Sequence, residues 1–219
     1  YVVKASGGAF SEKFSHEFSI VTPAGEDRII VCEKCNVAQN LEVAEGKVKD
    51  PSQKDEKELP MKEVEVEREF SITASAKAHN VPAWKVLKSV IYKVGNGFLG
   101  VVIRGDLQVN EMKLTKYLGV HVRPATADEL AQCGLAQGFI SPVGVQKVTG
   151  GVKHYIEVVA KEAEGVAHKD SVPLPFIADH SIKNVKNFVT GANKKNVDLA
   201  NVNLGRDFTV EDFTDLVSV

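Results

Sequence analysis

The stretch Ser89–Arg104 reads SVIYKV, GNG, FLGVVIR, with Gly95-Asn96-Gly97 set between two runs of β-branched and apolar residues. Two such runs joined by so short a Gly/Asn connection are the strongest short-range signal for a β-hairpin. Working outward, Pro82 suits the first turn of a short helix through Trp84 and Leu87. Asn110 opens a helix with Met112, Leu114, Tyr117 and Leu118 at roughly helical spacing. Thr126 caps another, and Glu129 three residues later completes a capping-box pattern. Ser71 caps a helix from Ile72 to near Asn80, preceded by Val64 and Val66 alternating with glutamates as an extended segment would. Phe18–Val21 and Arg28–Val31 read as a second hairpin around Pro23 and Gly25, and Tyr155–Val159 and Pro175–Ala178 as further strands. Ala44–Lys57, charged and carrying Pro51, reads as an exposed linker. Hairpins alternating with short helices point to a mixed α/β or α+β domain.

Composition narrows the function classes. The chain has 219 residues, 43% hydrophobic and 26% charged, which suits one sizeable soluble domain. Its 27 Lys and Arg against 29 Asp and Glu leave a net charge of −2, so any nucleic-acid contact must be a local patch. No apolar run approaches the roughly 20 residues of a membrane-spanning helix. Three cysteines cannot build a disulfide framework, and a reducing cytoplasm is expected.

The usual chemical signatures are missing. Cys32-Glu-Lys-Cys35 is half of a zinc site without its second half, so it reads as a reduced pair in a turn. His16, His79, His121, His154, His168 and His180 show no metal-ligand spacing, and there is no GxSxG, P-loop or GxGxxG. Arg104-Gly105-Asp106 reads as a strand-end turn. Three features are less generic: Lys88 feeding into an apolar strand, the loop Gly138–Gly144, and Asp179-His180-Ser181 followed by Gly191-Ala192-Asn193. A lysine entering such a strand is either edge-exposed or aimed into a pocket that needs a cation.

In one order and with consistent spacing, KVLKSVIYK (85–93), RGDLQVNEMKL (104–114), GFISPVGV (138–145), IADHS (177–181), NFVTGAN (187–193) and NVNLGRDF (201–208) resemble the insertion domain of bacterial prolyl-tRNA synthetases. SHEF (15–18) and CEKCNVAQN (32–40) resemble the synthetase segment just before it. That insertion is the editing domain, of the YbaK-like aminoacyl-tRNA deacylase superfamily. The resemblance implies a mixed, largely antiparallel sheet or partial barrel surrounded by short helices. It also implies an organisation of 1–20 flanking the synthetase core, 21–62 a hairpin with the CxxC and a charged linker, 63–205 the editing domain and 206–219 a return segment. The implied activity is hydrolysis of mischarged Ala-tRNA(Pro) by a metal-free, substrate-assisted mechanism, with no aminoacylation by these residues. A non-catalytic tRNA-binding insertion, or a deacylase for Cys-tRNA(Pro) or another small amino acid, are the alternatives. No cofactor is implied for editing; ATP and magnesium belong to the synthetase core. The implied partners are the 3′ aminoacylated end of proline tRNA and the rest of the synthetase, with no membrane, a monomeric fragment and a cytoplasmic setting.

The resemblance carries roles residue by residue. Lys88 matches the lysine that holds the tRNA terminus, and Gly138 and Pro142 match a GxxxP loop whose amides position the ester and its oxyanion. Ser141 stands where glycine is common before that proline. Asp179 matches an aspartate whose usual arginine neighbour is His180 here. Ile72 matches an apolar pocket position, Ser75 stands where leucine is frequent, and Gly191 belongs to the GAN turn. Asp198 stands where the family commonly has a pocket histidine; it either pairs with the substrate's ammonium or lies in solvent. The stretch Gln146–Val172 exceeds the family's usual connection and reads as an added hairpin or surface loop.

Overall fold

The computed structural model describes residues 1–5, 15–44, 47–52, 55–145, 148, 150–161 and 174–218. Two compact units emerge, Tyr1–Val48 with Val217–Val219, and Lys49–Leu216.

In the first unit, β1 (Val2–Ala5) pairs antiparallel with β2 (Ser15–Phe18) and parallel with β4 (Ala38–Asn40), which pairs antiparallel with β3 (Ile29–Val31). The expected hairpin between 18–21 and 28–31 does not form. Phe18, Ile20 and Val21 are strongly exposed, so that pairing has no apolar face to bury. The inward Val3 and Ala5 of β1 and Ala38 of β4 carry the buried face instead. The CxxC closes the β3–β4 hairpin. The Cys32 amide donates to Val37 O, the Asn36 amide donates to Cys32 O, and Asn36 adopts φ +56°. Both thiols are free and exposed.

The second unit contains, in order, β5 (Lys62–Glu65), α1 (Ile72–Ala78), β6 (Leu87–Val94), β7 (Gly97–Arg104), α2 (Glu111–Leu118), β8 (Val122–Pro124), α3 (Ala127–Gln132), α4 (Gly151–Lys161), β9 (Phe176–Asp179), β10 (Phe188–Gly191), β11 (Val197–Val202) and β12 (Phe213–Thr214). A five-stranded mixed sheet runs β12-β9-β7-β6-β8, and a three-stranded antiparallel sheet runs β10-β11-β5. The β6–β7 register from Leu87↔Arg104 to Val94↔Gly97 leaves Gly95 and Asn96 as a two-residue loop, with Gly95 at φ +51°. The predicted caps are all present: Ser71 accepts from the Ala74 amide, Asn110 from Met112 and Lys113, and Thr126 and Glu129 form the capping box.

Two readings change. The helix expected from Pro82 to Leu87 shrinks to a 3-10 turn at Ala83–Lys85, because Leu87 is already buried in strand β6. Tyr155–Val159 is not a strand but part of α4. Val152, Tyr155, Ile156 and Val159 recur at helical intervals and are all buried, so the 3.6-residue period overrides their β-branched composition. Of the added stretch 146–172, the described part is this helix; the rest lies outside the described residues.

Alternation along the strands builds two cores on the large sheet. Leu87, Ile91, Val102, Phe176 and Ala178 pack with Phe188, Leu199 and Val202 of the smaller sheet. Tyr92, Val94, Leu99, Val101 and Ile177 pack with Leu114 of α2 and the buried row of α4. The charged stretch before β5 is tied down rather than loose. Lys49 O accepts from Arg104, Asp50 from Asn184, and Glu56 holds Lys85 at 2.5 Å. Arg104 also forks onto Asp106, closing the predicted strand-end turn.

Candidate active site

A cleft of about 200 Å³ opens where α1, the start of β6, the Gly138 loop and the end of β10 meet. Phe70, Ile72, Val86, Leu87 and Ile140 form its apolar walls. Ser71, Ser75, Ser89 and Thr190 bring hydroxyls, and Arg68 and Lys88 bring the cations. Of the residues singled out in the sequence, Lys88, Gly138, Ile72, Ser75 and Gly191 meet here. A larger depression of about 470 Å³, lined by Asp50, Lys183 and Lys186 among others, contains none of them.

Lys88 is half-buried, and burial lowers its ammonium from the ordinary lysine value. Its Nζ donates to Gln108 Oε1 at 2.6 Å and more weakly to Leu107 O at 3.4 Å. These acceptors are neutral, so among the described residues the charge is unpaired and available to an anion at the cleft mouth. Lys93, five residues on, instead lies over the Phe98 ring at 4.4 Å.

Gly138 has φ +80°, and a side chain there would meet the Phe70 ring at 2.6 Å, so the bend requires glycine. The loop beyond it is pinned peptide by peptide. The Phe139 amide donates to Ala136 O, Phe139 O accepts from the Asn193 amide at 2.8 Å, and the Ser141 amide donates to Asn193 Oδ1 at 2.8 Å. Asn193 Nδ2 then donates to the carbonyls of Ser141 and Val143. Among the described residues this leaves the Gly138 and Ile140 amides without an acceptor, in the wall of the cleft. Gly191 allows the approach, since a Cβ there would stand 2.0 Å from Phe139 O. Ser141 and Pro142 are buried behind the cleft; the Ser141 hydroxyl accepts from the Val143 amide and shapes the turn. The hydroxyls of Ser75 and Ser89, sealed beside the cleft, have no hydrogen-bond partner among the described residues.

The two aspartates part company. Asp179 lies outside the cleft, buried, its Oδ1 accepting from the Ser181 amide at 2.7 Å and its Oδ2 from Leu216 at 2.8 Å. His180 stacks on Phe213. Asp198 is wholly buried, so the solvent-exposed alternative is excluded. Arg68 forks onto it, Nη2 to Oδ1 at 2.7 Å and Nε to Oδ2 at 2.8 Å. His79 Nε2 also lies 2.9 Å from Oδ2. Burial works to raise the Asp198 carboxyl, but hydrogen bonds and charge from Arg68 and His79 prevail and hold it below the ordinary value. An ionised Asp198 can only accept, so His79 Nε2 carries the proton in this contact.

Arg68 and His79 are the functional candidates that sequence reasoning missed. They lie 130 and 119 residues from Asp198, beyond any local spacing rule. The available signal was Asp198 itself: an acid in the apolar strand VDLANV demands a buried cation.

A mixed sheet and an antiparallel sheet, with a small cleft beside a glycine-bent loop, define an α+β domain with an open cleft. The profile of the family described as "Aminoacyl-tRNA editing domain" matches residues 67–208. A proline–tRNA ligase of Sulfurihydrogenibium sp. (strain YO3AOP1) is 36% identical over 219 residues, covering 99% of this chain and 34% of its own. One from Thermotoga maritima is 34% identical over 220 residues, covering 100% and 33%. The chain thus spans about a third of the length of these curated relatives. A solved structure described as a candidate trans-editing enzyme for prolyl tRNA synthetase shares the fold, with TM-score 0.52 over 73% of this chain and 87% of that one at 16% identity. The chain belongs to the aminoacyl-tRNA editing domain family.

Proposed function

We propose that this domain hydrolyses the ester of alanine mischarged onto proline tRNA, by a metal-free mechanism in which the tRNA's own ribose hydroxyl assists the attacking water. The observation that carries the reading is the open cleft of about 200 Å³ between Lys88 and the Gly138 loop. Pockets for drug-sized ligands run to roughly 300–1,000 Å³, so this one suits a single small aminoacyl group. An open cleft, rather than one packed with side chains, favours hydrolysis over a purely tRNA-binding insertion. Lys88 then grips the tRNA terminus, and the Gly138 and Ile140 amides receive the developing oxyanion. Proline exceeds alanine in bulk, and a second, smaller sieve separates the two where the synthetic site cannot. The partners this calls for are the 3′ end of aminoacylated proline tRNA and the rest of a synthetase, with the fragment a cytoplasmic monomer. Among the described residues no helix is long and apolar enough to cross a membrane.

The exposed Ser71 hydroxyl in the cleft lining favours a second reading, a small acyl group with a hydrogen-bonding tip such as cysteinyl. The test is ester loss from alanyl-, cysteinyl- and prolyl-tRNA(Pro), with and without EDTA. Alanyl ester should be lost, prolyl ester spared, and EDTA without effect. Faster cysteinyl loss selects the second reading, strong EDTA inhibition sinks the metal-free mechanism, and no loss from any substrate sinks the deacylase.

A further inference from the structure

Arg68 occupies the cleft wall, yet its side chain is only 6% exposed and its guanidinium is engaged on every side. Besides the fork onto Asp198, Nη2 donates to Gly138 O at 3.0 Å, Nη1 donates to Glu69 O at 3.1 Å, and the group lies over the Phe139 ring at 4.4 Å. We infer that Arg68, seated on Asp198, is a positioning residue for the hydrolytic loop, fixing the Gly138–Phe139 peptide so that the neighbouring amides hold their place in the cleft wall. This rests on the deacylase reading and extends it to residues outside the reacting groups.

The chemistry of the loop asks for such a device. A glycine at φ +80° lets its peptide rotate at little steric cost, so the Gly138–Phe139 unit needs outside restraint. Its N–H side is held by Ala136 O and its carbonyl by Arg68. The next peptide is held through Phe139 O by the Asn193 amide. Arg68 therefore holds a carbonyl at the start of the bend that Asn193 does not reach. Stability alone gives weak grounds for the pair, because a buried ion pair can often be replaced by apolar residues without loss of fold. Lysine cannot substitute, since one ammonium cannot fork onto a carboxylate, reach a carbonyl and lie flat on a ring together. Asp198 is wholly buried behind Arg68 and His79, so the carboxylate acts on the cleft through Arg68.

The test uses two variants of the whole chain, measured by thermal melting and by single-turnover and steady-state deacylation. The double variant Arg68→Met with Asp198→Leu removes both charges, so no lone ion is stranded. Arg68→Lys keeps the ion pair but not the span to Gly138. Loss of a single oxyanion donor costs about 100- to 1,000-fold in kcat, and a displaced loop should cost less, roughly 10- to 100-fold, with KM within about twofold. The lysine variant should fall between wild type and the double variant. Should the double variant fail to fold, Arg68→Lys decides alone. A folded variant with kcat within about twofold of wild type, or a loss confined to KM, overturns the inference while the deacylase reading stands. An inert wild type overturns both.

Discussion

Two buried aspartates, Asp179 on β9 and Asp198 on β11, have the same chemistry and nearly the same burial but different surroundings. Asp179 accepts from two backbone amides, those of Ser181 and Leu216, and so joins chain to chain. Asp198 accepts from two side chains, and one of them, Arg68, reaches the cleft. The two lysines of β6 divide the same way: Lys88 faces neutral oxygens at the cleft, whereas Lys93 covers an aromatic ring. Residue type and burial do not distinguish a site residue from a scaffold residue. The bonding partner does.

The largest expected effect separates the lysines. Lys88→Ala should lower deacylation about tenfold to more than a hundredfold, the loss of one charge-assisted contact in the transition state. Its melting temperature should hold or rise slightly, because burial already disfavours that ammonium. Lys93→Ala should hydrolyse at close to the wild-type rate. Equal rates for the two variants would erase the distinction.

Asp179→Asn should act on stability. An amide offers one carbonyl oxygen where the carboxylate offers two, so one of the two buried backbone donors loses its acceptor at a cost of about 1–3 kcal/mol. Chemical denaturation would read this as a lower midpoint with unchanged slope. A variant as stable as wild type would show that Asp179 is held for another purpose.

Acid should produce the smallest and most diagnostic effect. Arg68 and His79 hold Asp198 below the usual carboxylate range, and Arg123 holds Glu129 at about 2. A depressed folded-state value stabilises above the unfolded pKa of about 4 and loses that contribution as pH falls toward the folded value. Melting temperature should therefore drop below about pH 4 and not between 5 and 7. The Arg123–Glu129 pair is open to solvent and screened by salt, whereas the Arg68–Asp198 pair is not. Most of the drop should survive in high salt. A drop abolished by salt would place the acid sensitivity on the surface.

The fold was legible wherever local chemistry decides structure. The Gly95-Asn96 loop, the Ser71, Asn110 and Thr126 caps and the edge strand before Arg68 are all short-range consequences of residue type. The readings that failed were questions of period and partner. Val152–Val159 carries both strand-like composition and helical spacing, and tertiary burial chose the helix. Phe18–Val21 has strand composition, but its side chains cover no apolar face, and only Phe18 joins a ladder, opposite Val2 of the preceding strand β1. Part of the cleft was legible through Lys88, Gly138, Ile72, Ser75 and Gly191. Its ionic support was not, because Arg68, His79 and Asp198 meet only once strands distant in sequence are paired.

Asn193 bonds a loop that lies 50 to 54 residues before it, and the loop has no ladder of its own. In the time domain this makes the cleft a late structure, since contacts closing long loops form after the local hairpins are in place. It also ties local opening of the loop to fraying of the β10–β11 turn, so the two should exchange their amide hydrogens as a single cooperative unit. The lifetime of the cleft wall is then set by a hairpin that meets the cleft only at its Thr190–Gly191 end.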